Sequence, residues 1–245
     1  MTETIRLDIV GGEARLTLAN GSAGNALTLA DIRRAREAIA EAVARPQVRV
    51  LRLCAEGESF CVGRLAEAGP TAPATSEELR TRLIMPILDL YRALHALDIV
   101  SVAQVQGDAH GLGCALVSAC DIAVAASHAK FTLPEMSKDL PPTLALSALG
   151  RKVHAKAAAS LVLGMATFDA QAAMRAGLVG EVVQADALAG RVDAIVAQLS
   201  TRNAIALATV KRYLRATQAP DFDVNAELAA SLLAGAMPAI RASKA

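Results

Sequence analysis

The stretch from Ile99 to Ala125 constrains the fold more than any other part of this chain. An apolar, β-rich run, Ile99–Val105, gives way to Gly107. Asp108-Ala109-His110-Gly111-Leu112-Gly113 then opens into small residues at Cys114-Ala115, and a second apolar run follows at Asp121–Ala125. Runs that are apolar at consecutive positions read as strands covered on both faces, the pattern of a sheet layered between helices. Strand, glycine loop, helix, strand is therefore the order of an α/β domain. The start of a helix leaves backbone N–H groups without partners and carries partial positive charge, so such a loop can hold an anion. If the anion forms only during a reaction, the loop is an oxyanion hole. Taken alone it could equally be a glycine-rich structural turn. It is not a phosphate loop, since no Gly-Lys-Ser/Thr follows.

At 245 residues the chain is long enough for one full α/β core. The aromatic share of 2%, with no Trp, argues against stacking platforms for single-stranded nucleic acid. A net charge of +1 advertises no field for a polyanion, so a ligand phosphate would be met locally. No apolar run reaches the length of a membrane span, and Met1–Arg6 lacks the regions of a signal peptide. Cys54, Cys61, Cys114 and Cys120 follow no zinc spacing and lie in apolar segments, which reads as buried free thiols in a reducing compartment. The expected location is the cytoplasm, with neither membrane nor nucleic acid as partner.

Ile5–Val10 and Glu13–Leu18 flank Gly11-Gly12 as a hairpin. Thr28 and Asp31 have capping-box spacing before an amphipathic helix that ends ahead of Pro46. Val48–Cys54 is a short strand, and Phe60–Leu65 a turn containing Gly63. Gly69–Thr75 reads as a mobile loop, followed by a helix capped by Ser76 and running to about Leu97, with Pro86 expected to kink or split it. Helices are expected near Thr143–Leu149 and His154–Leu163, then one capped by Asp169 and ending at Gly177. A last strand is expected at Glu181–Val183, with helix from Asp186 onward.

Five segments together resemble the enoyl-CoA hydratase/isomerase (crotonase) family. Gly24-Asn25-Ala26-Leu27-Thr28 resembles its "NAL" turn, and Ser59-Phe60-Cys61-Val62-Gly63 its F-x-x-G loop. Val102–Ile122 resembles its glycine signature, with Leu112 where a small residue is usual. Phe131-Thr132-Leu133-Pro134-Glu135 resembles "F-x-x-P-E". Leu163–Ala173, Gly177-Leu178-Val179 and Val182-Val183 resemble the later "G…A…GLV…VV" run. The resemblance implies a crotonase-like spiral of ββα units, with a core over residues 1–185 and a C-terminal helical region over 186–245 that builds trimers or hexamers. It implies a CoA thioester as substrate, with no separate cofactor and no metal. An enolate would be held at the thioester oxygen by two backbone N–H groups, which fall here on Arg64 and Leu112. Gly63 and Gly111 would let the chain approach the ligand. The backbone around Asn25, Ala26 and Leu27, together with Val62, would meet the adenosine end. Phosphate contacts are left open among Arg64, Arg80, Arg82 and Lys211.

Hydratases of this family use two glutamates. The second matches Glu135, but the first falls on Ala115, which cannot transfer a proton. One carboxylate in an apolar pocket suits removal of a proton from C2 and its return at C4. The resemblance therefore implies an enzyme on an acyl-CoA thioester, with double-bond isomerisation favoured over hydration. The alternatives are a catalytically weak acyl-CoA-binding accessory protein, or a CoA-ester hydrolase or C–C lyase. Asp139 reads as a second acid or a solvated loop residue. His110, beside Asp108, reads as a loop-structuring residue or a base. Arg64 would meet a phosphate or a substrate carboxylate, or stay solvated at the rim.

Overall fold

The computed structural model describes residues 3–65, 75–150, 152–217 and 222–242. It opens on the expected hairpin, β1 (Ile5–Val10) and β2 (Glu13–Leu18), paired antiparallel around Gly11, whose φ of +56° suits a residue without Cβ. Helix α1 (Leu29–Val43) begins with a full capping box. The Thr28 hydroxyl accepts from the Asp31 N–H at 3.1 Å, and the Asp31 carboxylate accepts from the Thr28 N–H at 2.9 Å. Strand β3 (Val50–Ala55) lies parallel to β2, and β4 (Val100–Val105) parallel to β3.

Between β3 and β4 runs a continuous helical stretch, α2 (Ser76–Leu79), a π-turn at Arg80–Ile84 and α3 (Met85–His95). Two details differ from expectation. Thr75, not Ser76, is the cap, its hydroxyl accepting from the Glu78 N–H at 3.1 Å. Pro86 does not split the helix. It sits in the first turn of α3, and the widened π-turn just before it takes up the missing N–H and the bulk of the ring. The expected loop at Gly69–Thr75 lies, Thr75 apart, outside the described residues.

After β4 the chain makes β5 (Ala109–His110), α4 (Leu112–Ala119), β6 (Ile122–Ala126) and β7 (Lys130–Thr132). Then come α5 (Thr143–Leu149), α6 (Ala155–Val162), β8 (Phe168–Asp169), α7 (Ala170–Arg175) and β9 (Glu181–Val183). The last elements are α8 (Leu188–Ser200), α9 (Ala204–Thr217) and α10 (Phe222–Ala242). Asp169 caps α7 as expected, accepting from the Ala172 N–H at 2.6 Å.

The main sheet has the order β1-β2-β3-β4-β6-β9. Its central strands are covered on both sides. Ala103, Val105 and Ala125 belong to the large core with α1, α3 and α4, whereas Val50, Val102 and Val124 pack against Leu188, Val192 and Val196 of α8. A second, three-stranded sheet, β5-β7-β8, escaped the sequence reading. Its strands span two or three residues each, too few to show a period.

The four cysteines are buried and free, and burial pushes the Cys61 and Cys120 thiols up to about 12. The C-terminal helix α10 folds back on its own chain. Thr143 Oγ donates to the Ala229 carbonyl and Ser76 Oγ to the Ala234 carbonyl, each at 3.1 Å, and Arg92 pairs with Asp223 at 2.8 Å. Among the described residues no helix is long and apolar enough to cross a membrane.

Candidate active site

The short strands of the second sheet bring three loops together. Cys61 forms a parallel bridge with Ala109, and its carbonyl accepts from the His110 N–H at 2.8 Å. The Gly111 N–H donates to the Thr132 carbonyl at 2.9 Å. A Cβ on Gly113 would lie 2.1 Å from the Cys61 carbonyl oxygen, so glycine is what lets α4 start against the Cys61–Arg64 loop. Gly111, at φ 52° and ψ −111°, caps α4 without a side-chain acceptor. The first-turn amides are thus left for another partner.

These loops wall a cavity of about 430 Å³, within the range of small-molecule sites. Val62, Gly63 and Arg64 form one side, Gly111 and Leu112 a second, and Pro134 and Glu135 a third. Leu79, Leu83, Ile87 and Tyr91 from the α2–α3 run, Leu144 and Ala145 from α5, and Leu233 from α10 close it with apolar surface. Glu135 follows β7 on a tight turn, Pro134–Lys138, and is the sole carboxylate on the wall among the described residues. Its Oε2 is buried without a hydrogen-bond partner. Its Oε1 sits where a Cβ on Gly111 would come within 2.6 Å. Burial raises the Glu135 carboxyl above its ordinary value, opposed in part by its own backbone N–H and by the charge of Lys138.

Six of the residues singled out in the sequence, Val62, Gly63, Arg64, Gly111, Leu112 and Glu135, therefore meet on one wall. Asn25, Ala26 and Leu27 do not line it. The Asn25 side chain accepts from the Asn20 N–H at 2.9 Å and donates to the carbonyls of Glu56 and Ser59 at 2.7 and 2.8 Å. It is fully buried at a left-handed φ of 55°, so it shapes the turn beside the Val62 loop. Leu27 exchanges main-chain hydrogen bonds with Gly63 and Leu65, which fixes the same loop from the other side.

Ala115 is buried in α4, off the cavity wall, and Asp139 is exposed, closing the turn after Glu135 in a left-handed conformation. His110 also lies off the wall, bonded through its backbone to Cys61, with its ring 3.8 Å from Asp108. Of the phosphate candidates, Lys211 is excluded. It is buried, pairs with Asp121 at 2.6 Å and donates to the Ile99 carbonyl at 2.8 Å. Arg80 pairs with Glu227 of α10, Arg82 is exposed, and the exposed Arg64 side chain donates to the Leu65 carbonyl at 3.2 Å. The sequence reading did not single out Tyr91, Lys138 or Leu233 as wall residues. Tyr91 falls in the helical stripe Ile84, Ile87, Leu88, Tyr91, which signals burial but not what it is buried against.

The architecture is the crotonase fold. A solved enoyl-CoA hydratase from Mycobacterium smegmatis superposes with a TM-score of 0.84 at 28% identity, covering 97% of this chain and 91% of that one. Pseudomonas aeruginosa AtuE gives 0.81 at 30% identity, over 96% and 92%. The sequence pattern "Enoyl-CoA hydratase/isomerase" matches residues 9–234, and the chain belongs to that family of enzymes. Among curated relatives, the rat mitochondrial enoyl-CoA hydratase domain-containing protein 3 is 30% identical over 210 residues, 84% of this chain and 69% of that protein. The 2,3-dehydroadipyl-CoA hydratase of Escherichia coli is 32% identical over 130 residues, 53% of this chain and 51% of that one.

Proposed function

We propose that the chain acts on an acyl-CoA thioester whose carbonyl oxygen, as it becomes an enolate, is held by the backbone N–H groups of Arg64 and Leu112. Glu135 removes a proton from C2, the C3–C4 double bond shifts to C2–C3, and the acid so formed returns a proton at C4. The observation that carries this reading is the one carboxylate on the wall among the described residues, half-buried and with its Oε2 buried and unpartnered. A desolvated carboxyl is a stronger base and a better shuttle near neutral pH. Gly63 and Gly111 would give the ligand backbone-close access, and Val62 with the backbone of the Asn25–Leu27 turn is assigned to the adenosine end on the family resemblance. CoA enters as part of the substrate.

Isomerisation is favoured over hydration because Ala115 offers no atom to hold or deprotonate water. Incubation of purified protein with 3-enoyl-CoA and 2-enoyl-CoA tests this. Isomerisation is expected to exceed hydration by roughly a hundredfold, the contribution of one general acid–base group. Efficient hydration that survives Glu135→Ala would overturn the mechanism. A second reading, an acyl-CoA binder with weak catalysis, is favoured by the same alanine, and binding without turnover of either substrate would select it.

The family resemblance further suggests a homotrimer or a pair of trimers. The exposed apolar residues Ile205, Val210 and Tyr213 on α9 support assembly through that helix. Light scattering on the eluting protein should give three or six protomers, and a monomer at micromolar concentration would refute it.

A further inference from the structure

From α2 through α3, Leu79, Leu83, Ile87 and Tyr91 place a side chain on the cavity wall at every fourth residue. A regular α-helix does not keep such residues in line. Four residues turn it by about 400°, so each step drifts by about 40°, and the steps from Leu79 to Tyr91 would spread the stripe over about 120°. The π-turn at Arg80–Ile84 counters that drift. It is closed by the Met85 N–H donating to the Arg80 carbonyl, five residues back, and so fits one more residue into the turn. The helix beyond is set back by about one residue, or roughly 100°. Leu79 and Leu83 thereby reach the same wall as Ile87 and Tyr91, while Ile84 and Leu88, fully buried, lie off it.

Pro86 keeps the turn open. It has no N–H for the carbonyl of Arg82, four residues back, and its ring would crowd that carbonyl in an α-helix. Thr81 Oγ1 donates back to the Glu77 carbonyl at 2.9 Å, a side-chain bond of the kind that bends a helix. On the near side α2 is held against α10, Ser76 Oγ donating to the Ala234 carbonyl at 3.1 Å and Arg80 pairing with Glu227. The extra residue is therefore absorbed between two fixed ends. π-Turns of this kind are frequent at functional sites. We propose that Pro86 is a positioning residue for acyl-group size: by holding Arg80–Ile84 as a π-turn it turns Leu79 and Leu83 into the chamber, and so sets how long an acyl chain the wall admits. This rests on the reading of the cavity as an acyl-CoA site, and touches neither the proton transfer nor the thioester oxygen.

Calorimetric titration of the full chain with hexanoyl-CoA and decanoyl-CoA tests it. Pro86→Ala lets the turn close to α-helix and swings Leu79 and Leu83 off the wall. The affinity for decanoyl-CoA relative to hexanoyl-CoA is expected to rise about tenfold, the worth of roughly two more buried methylenes. Deleting the exposed Arg82 in the Pro86→Ala background removes the extra residue and brings α2 and α3 back into line as one unbroken helix. The ratio is then expected to return to its wild-type value, a rescue that a merely structural proline does not predict. An unchanged ratio in folded Pro86→Ala overturns the proposal, as does a shift that the deletion leaves in place. Should Pro86→Ala fail to fold, Leu83→Ala decides, because it clears one of the two side chains with the turn intact. It must raise the ratio likewise, and an unchanged ratio there overturns the proposal. Failure of the wild-type chain to bind either acyl-CoA would instead refute the acyl-CoA reading, and this inference with it.

Discussion

Glu135→Gln is expected to lower turnover of 3-enoyl-CoA by about a thousandfold and at the same time to raise the melting temperature. Both effects have one cause. Burial raises the Glu135 carboxyl above its ordinary value of 4.5. A carboxyl raised in the folded state stabilises fully below its unfolded pKa, and that contribution is lost as pH rises through the folded pKa. At neutral pH the ionised, desolvated group therefore weighs against folding, and a neutral amide of the same shape relieves it. The acid limb of kcat/KM should likewise lie above 4.5, with activity rising as pH increases through the folded pKa, because the base form is the active one. Steady-state kinetics against pH and a thermal scan measure the two halves. A variant that keeps a tenth of the activity removes Glu135 from the proton transfer.

Gly113→Ala should be the most damaging single-methyl change in the site. The new Cβ would stand 2.1 Å from the Cys61 carbonyl oxygen and 3.1 Å from its carbon. Neither backbone can yield cheaply. The Cys61 oxygen is held by the His110 N–H, and the Cys61 N–H bonds to the Asp108 carbonyl at 3.1 Å. Relief requires parting the Val62–Arg64 loop from the start of α4, the two walls that the proposed enolate must reach together. A loss of about 3 kcal/mol is expected, at the upper end for overpacking, with activity lost as well. Urea denaturation would read the first, and unchanged stability would contradict the contact.

The sequence made visible what local chemistry decides. Thr28 and Asp31 announce a helix start through their own hydrogen bonds, and Gly11 announces a chain reversal. The run Ile99–Val105 states its double-sided burial in consecutive apolar residues. What stayed hidden depends on partners far along the chain. The second sheet joins segments near 109, 131 and 168, none long enough to carry a period. Lys211 offers itself as a surface cation until Asp121, ninety positions earlier, is seen beside it. Asn25 shapes its turn by donating from its side-chain amide to the carbonyls of Glu56 and Ser59, partners far along the chain that its own neighbours do not reveal. Tyr91 and Leu233 look like core residues in their own helices. They become cavity wall because the α2–α3 run and α10 converge over Glu135.

The groups we propose for the thioester oxygen belong to the peptide chain and not to any side chain. Every residue except proline supplies the same N–H. Substitution at position 64 or 112 can thus alter the charge and width of the entrance while leaving the donor itself in place, provided the loop keeps its course. Arginine and leucine at these positions can be read as products of that freedom. A lineage built this way can drift toward new acyl groups without first surrendering its chemistry.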